Sequence, residues 1–287
     1  MTIFIVIVFL LFFSIFLFFL IATNKNSPLL LSKMLLVDVH AHLDFPDFEN
    51  DISAVLENAK HAEIKVIINN GIDPITNRKT KDLAKKYPLI KPAYGFYPVH
   101  VAEQGIDKVK EELEWIKNNH PVALGEIGLD YKVGDDNPHG DLHKETQIEA
   151  FKLFIRLGQK LDIPLIIHSR KAEEDVLNIL EQEKAKKVIL HCFMGKKKFV
   201  EKARDLGYSF SIPTSVVKSE QLQWIVKNVP LKQLLFETDS PYQGPEKGVR
   251  NEPANIALSA KKIAELTGMS TEDLANIFFM NYQKLFL

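Results

Sequence analysis

The sequence predicts an α/β protein, a (β/α)8 TIM barrel preceded by an N-terminal hydrophobic helix, and three observations carry the barrel. Eight apolar, β-branched runs alternate with amphipathic helical patterns from residue 35 to the end. No Gly-rich phosphate turn follows an early run, although a doubly wound open sheet would usually have one. Histidines and carboxylates gather at the C-terminal ends of the runs, the face on which barrel proteins build their sites.

The first element stands apart. Ile3 to Ala22 carries one hydroxyl and no charge, and residues 1–22 hold seven of the nineteen Phe. At about 1.5 Å per residue such a helix spans a hydrocarbon core of roughly 30 Å. It reads as a transmembrane helix that anchors the chain, with a membrane as partner. Lys25 and Lys33 follow it, which favours a barrel held on the cytoplasmic side. The competing reading makes residues 1–33 a gene-start artefact and the protein a cytoplasmic one starting at Met34. The expected organisation is a hydrophobic segment 1–22, a linker 23–33 and a barrel 34–287.

Strands are expected at 35–40, 64–69, 90–95, 121–127, 163–168, 187–192, 208–212 and 233–238. Helices are expected at 51–62, 76–87, 106–119, 144–161, 172–184, 196–206 and 218–228 between and after them, then at 253–267 and 271–285. The last opens on Ser270-Thr-Glu-Asp, a capping pattern. The longest irregular stretches, 132–143 and 241–252, follow the fourth and eighth strands and so fall on the site face.

Composition narrows the function classes. From Met34 onward 34 basic residues meet 37 acidic ones, so the barrel has no basic footprint of the nucleic-acid-binding kind. Any contact with nucleic acid is then local. A single cysteine, Cys192, excludes an intramolecular disulfide and a Cys-based zinc cage.

The informative pattern is positional. His40 and His42 end strand one, Glu126 strand four, His168 strand five, His191 strand six and Asp239 strand eight. The i, i+2 spacing of His40 and His42 puts both imidazoles on one strand face. Taken singly, His168 is more often a satisfied core histidine, and Glu126 or Asp239 a cap or a Lys partner. Taken together, four His and two carboxylates in an apolar barrel mouth call for a divalent metal to neutralise them. His61, His100, His120, His139 and His143 fall on helices or loops, and His100 alone lies near the same face. Cys192 is expected to point away from the interior as filling, and Lys196 to Lys198 to form a solvated helix start.

These residues carry a family resemblance. Val37-Asp-Val-His-Ala-His-Leu-Asp44, Gly125-Glu-Ile-Gly-Leu-Asp-Tyr131, Ile167-His-Ser-Arg170, Leu190-His-Cys-Phe193 and Glu237-Thr-Asp-Ser-Pro241 resemble the successive signatures of the TatD-type metal-dependent hydrolases, within the amidohydrolase-like barrels. Arg250-Asn-Glu-Pro253 resembles the family's late loop. The resemblance runs from about Leu35 to Leu287 and departs at Tyr97, where a His is often found.

The resemblance implies a two-metal hydrolase. His40, His42 and Asp239 would hold one ion, His168 and His191 the second, and Glu126 would bridge both. Zn²⁺, Mg²⁺ and Mn²⁺ are the candidate ions. Asp239 would orient or deprotonate the attacking water, and Arg170 would clamp a phosphate, its alternative being a strand-end salt bridge. Asp130 and Tyr131 would meet the substrate, and Asp38 would support the site from below. The leading function is a deoxyribonuclease, an exonuclease cleaving phosphodiester bonds in DNA. An amidohydrolase or ester hydrolase on a small molecule and a non-catalytic, membrane-tethered metal-binding scaffold are the alternatives.

Overall fold

The computed structural model describes residues 34–134 and 143–287. The chain divides into two units, Met1–Met34 and Leu35–Leu287. Apart from Met34 the first lies outside the described residues, so the fold is that of the second.

Eight parallel strands stand in chain order: β1 (Leu36–Ala41), β2 (Ile64–Asn70), β3 (Ile90–Tyr94), β4 (Ala123–Asp130), β5 (Leu165–Arg170), β6 (Val188–His191), β7 (Ser209–Ile212) and β8 (Leu234–Phe236). Helices cover them: α1 (Ile52–His61), α2 (Pro74–Lys86), α3 (Pro98–Gln104), α4 (Ile106–Lys117), α5 (Lys144–Leu161), α6 (Glu173–Gln182), α7 (Lys197–Asp205), α8 (Glu220–Asn228), α9 (Ile256–Thr267) and α10 (Thr271–Phe286). Strands covered in this way are buried on both faces, which is why they read as continuous apolar runs. Val37, Val39, Ile68, Ala93, Ala123, Ile166, Ile189 and Leu235 pack into one core cluster with Tyr282 of α10. Each such large side chain contributes roughly 1.5–3 kcal/mol on burial.

The barrel closes between its first and last strands. Ala41 bridges Ser240, the His42 amide donates to the Ser240 carbonyl at 2.8 Å, and the Asp239 amide donates to the His40 carbonyl at 2.8 Å. Asp38 stitches the same seam from inside. Its Oδ1 accepts from the Thr238 and His40 amides at 2.9 and 3.2 Å, and its Oδ2 accepts from the Thr238 hydroxyl at 2.6 Å. Burial pushes this carboxyl up to about 8, against the hydrogen bonds from Thr238 and His40 that favour its charge.

The alternation predicted from sequence is present, with three local differences. The α3 helix escaped notice because its seven residues, between Pro98 and Gly105 at φ +80°, are too few for a helical period to register. The α2 helix starts two residues early, at Pro74, because Asp73 and Thr76 form a capping box. The β4 strand runs on to Asp130, so Glu126 lies inside it, at a register shift between Leu124 and Ile127.

One expectation is corrected. Among the described residues no helix is long and apolar enough to cross a membrane. Residues 1–22, on which the transmembrane reading was placed, lie outside them. The fold class of the described residues is the barrel, and the membrane helix, the membrane partner and the membrane-anchored localisation with a cytoplasmic barrel find no support in it.

Candidate functional site

At the C-terminal ends of the strands the six predicted side chains converge. His40, His42, Glu126, His191 and Asp239 are all buried, and His168 is slightly exposed. Nε2 of His40 and Nε2 of His42 stand 3.0 Å apart. Asp239 Oδ1 lies 3.5 and 3.6 Å from them, and Glu126 Oε2 lies 3.7 and 3.3 Å from them. The second carboxylate oxygen of Glu126 faces the other pair, with Oε1 2.8 Å from His168 Nδ1 and 3.5 Å from His191 Nε2.

Local backbone geometry allows this crowding. A Cβ at Gly95 would sit 2.4 Å from the Glu126 carbonyl oxygen and 2.5 Å from its amide nitrogen, so only glycine lets the β3 loop pass so close. Asp239 holds φ +58°, a left-handed conformation that a non-glycine residue keeps only when its surroundings enforce it. Its amide is tied to His40, and its carbonyl accepts from the Tyr242 amide at 2.7 Å.

The far sides of the imidazoles are also supported. His42 Nδ1 donates to the Asn70 carbonyl at 2.8 Å, so in the neutral ring Nε2 is the lone-pair nitrogen facing the cluster. His168 Nε2 lies 3.1 Å from Asp130 Oδ2, and His191 Nδ1 faces Glu237 Oε2 at 3.4 Å. A carbonyl or carboxylate behind the ring is the arrangement of metal-ligating histidines. His40 instead stacks on His191, with centroids 3.9 Å apart at 11°.

The electrostatics describe a site short of positive charge. Burial opposes charge on every group here. At His42 the hydrogen bond and charge of Glu126 outweigh it and raise the imidazole to about 9. His191 is raised well above its ordinary value against burial, chiefly by the charge of Glu237, and His168 is raised by Asp130 and Glu126. Glu126 stays well below the usual carboxylate range because His168, His191 and His42 contact it. Burial pushes Asp239 up to about 7 and, with His191 and His42 beside it, drives His40 well down. Divalent cations would supply that missing charge with the imidazoles neutral.

The donor set fits two ions. His40, His42 and Asp239 form one group with ligand atoms within 4.8 Å of one another, and Glu126, His168 and His191 form another. His168 Nδ1 faces Glu126 Oε1 at 2.8 Å without full hydrogen-bond geometry, a buried nitrogen that a cation would engage. The remaining residues divide. Arg170 lines a cleft of about 710 Å³ above the cluster, with Tyr97 and His100 also on its wall. Asp130 is fully buried, and its Oδ2 accepts from Tyr97 Oη at 2.9 Å and Arg170 Nε at 2.7 Å. Tyr131 is not among the cleft-lining residues; its ring lies 4.6 Å from the Lys144 ammonium. Cys192 lines the cleft rather than pointing away, in a left-handed turn at φ +40° that ends β6. His139 lies outside the described residues.

Sequence reasoning passed over Glu237. It is fully buried, accepts from the Cys192 amide at 2.9 Å and the Ser211 hydroxyl at 2.5 Å, and joins His40 and His191 in a third candidate group. Its i, i+2 spacing from Asp239 was the available signal.

The profile of the TatD related DNase family matches residues 37–287, which include every member of this cluster. The chain belongs to that family. As a TatD-family protein it is a metal-dependent hydrolase whose clustered side chains fit a two-ion active site. Deoxyribonuclease TATDN3 of Homo sapiens is 36% identical to it over 266 residues, covering 88% of this chain and 94% of the relative. The metal-dependent hydrolase YabD of Bacillus subtilis is 36% identical over 262 residues, covering 88% and 99%. Among solved structures, the TatD homolog YJJV of Escherichia coli superposes with a TM-score of 0.77 at 26% identity, covering 88% of this chain and 97% of that one.

Proposed function

We propose that this TatD-family hydrolase cleaves phosphodiester bonds at the ends of DNA strands. The observation that carries the reading is the Glu126 carboxylate, whose two oxygens face two different histidine pairs at the floor of an open cleft. The deoxyribonuclease name of the human relative supports the choice of DNA. The catalytic unit in this reading is 34–287, with 1–22 and 23–33 outside it.

His40, His42 and Asp239 would hold one ion and His168 and His191 the other, with Glu126 shared between them. Bound divalent ions supply Lewis acidity and a nucleophile at neutral pH. Imidazole-rich ligation suits Zn²⁺, while the carboxylates Glu126 and Asp239 also suit Mn²⁺ and Mg²⁺. Asp239 orients the attacking water and accepts its proton. A new P–O bond forms to the water oxygen, the P–O bond to the leaving sugar breaks, and the proton passes to the departing oxygen. Arg170 holds the phosphate by its planar fork, with Asp130 fixing the guanidinium through Nε.

The test is a time course on end-labelled single-stranded DNA with Mn²⁺- or Zn²⁺-loaded protein and a Glu126→Ala control, run beside a panel of small cyclic amides. Release of nucleotides from the ends by the wild type alone is the expected result. Turnover of an amide with DNA left intact would overturn the reading.

A further inference from the structure

The cleft has two chemically different rims. On one, Phe45 follows β1 and Tyr242 follows β8, with ring centroids 6.2 Å apart at 73°. Phe45 in turn stacks on His42 at 4.8 Å and 22°. The Tyr242 side is open, at 57% exposure. Its backbone, however, is pinned at both ends of the peptide. The amide donates to the Asp239 carbonyl, and the carbonyl accepts from Asn251 Nδ2 at 2.8 Å. Asn251 is fully buried and also donates to the Thr238 carbonyl at 2.8 Å and the Thr214 hydroxyl at 2.9 Å. The outcome is a large ring standing in water on a rigid support beside the reactive cluster.

The other rim carries two cations, Arg170 and Lys171, with Glu173 also lining the cleft. Arg170 ends β5, and Lys171 follows it with φ +59°, exposed on the same cleft wall. In a closed barrel of eight strands in chain order, β5 stands across the mouth from the β1–β8 seam. The aromatic rim and the basic rim therefore face each other with the histidine–carboxylate cluster between them.

We infer that the last nucleotide of the strand lies across the mouth, its base against the Phe45–Tyr242 rim and the following backbone over Arg170 and Lys171. This inference rests on the phosphodiester reading and deepens it. Tyr242 recognises the flat face of a terminal nucleobase, Phe45 buttresses it, and Lys171 meets the next phosphate along the chain. Every base has such a face, so the rim holds all four with little sequence preference. A ring that stacks on the end base also sets how far the strand enters, which fixes the phosphate that lies over the cluster.

The experiment measures kcat and KM for Tyr242→Ala, Tyr242→Trp and wild type, each with equal metal content. Two oligonucleotides are used that differ only in whether the terminal sugar carries its base. On the ordinary end, Tyr242→Ala is expected to raise KM by about tenfold, a typical loss for one stacked base, with kcat less affected. Tyr242→Trp is expected to restore KM, and on the baseless end wild type and Tyr242→Ala should converge. An unchanged KM in Tyr242→Ala, or an equal loss on both ends, would overturn the inference while the wild type still cut DNA. A wild type that leaves DNA uncut would instead fail the phosphodiester reading, and this inference with it.

Discussion

Asp130 and His168 meet at 3.1 Å through Oδ2 and Nε2, on the opposite edge of the imidazole from Glu126, whose Oε1 lies 2.8 Å from Nδ1. The ring is thus held between two carboxylates, one inside the cluster and one behind the cleft wall. The same Asp130 oxygen takes the Arg170 Nε and the Tyr97 hydroxyl. One buried oxygen therefore contacts both His168 and Arg170 and ties the cluster to the arginine of the cleft wall.

Arg170→Ala should lower activity on DNA by about 10- to 100-fold, the scale of one charge-assisted contact. Its metal content should be unchanged, because Asp130 keeps His168 and Tyr97 as partners. Arg170→Lys should recover only part of the loss, since a point charge lacks the planar fork. A wild-type cleavage rate in Arg170→Ala would reduce the guanidinium to a strand-end salt bridge.

Glu126→Ala should weaken both ions together, because its two oxygens face different histidine pairs. Elemental analysis should fall from near two ions per chain toward none at limiting metal. A variant that keeps one ion at wild-type affinity would refute the bridging role.

Adding Mn²⁺ or Zn²⁺ to chelator-treated protein should raise its melting temperature. The clustered carboxylates and imidazoles repel or desolvate one another less once cations sit between them. At a hundredfold excess over Kd, one site contributes about 2.7 kcal/mol, worth roughly 5–10 °C in a unit of this size. Equal melting curves with and without metal would contradict this.

At the seam, Asp38→Ala should cost about 3–5 kcal/mol in urea unfolding, because two amides and a hydroxyl lose their buried acceptor. Asp38→Asn should cost less, being nearly isosteric with the protonated acid that burial favours. A loss under about 1 kcal/mol in Asp38→Ala would show that the backbone bonds alone close the barrel.

The strands were legible because burial on both faces leaves little but apolar, β-branched residues from Leu36 to Phe236. The convergence of His40, His42, His168, His191 and Asp239 was legible too, since position at or just past a strand end brings side chains to one face. Partnership was not. Nothing in the spacing of Asp130 and Arg170 says that they share one buried oxygen, or that Asp130 turns away from the cleft. Glu126 looked like a strand end because the register shift in β4 leaves no mark beyond the nearby Gly125 and Gly128. Glu237 was hidden by its neighbour Asp239, whose place in the pattern accounted for the motif.

The seam joins Asp38 to Thr238 across 200 positions of chain. The cluster beside it likewise draws His40 from the first strand, His42 from just after it and Asp239 from just past the last. No fragment that ends before Asp239 holds the whole cluster. A ribosome must deliver nearly the whole unit before its first histidines can find their aspartate, so an unfinished chain has the cluster incomplete. Loss of β8 from a finished chain would break the same seam and take Asp239 from the histidines.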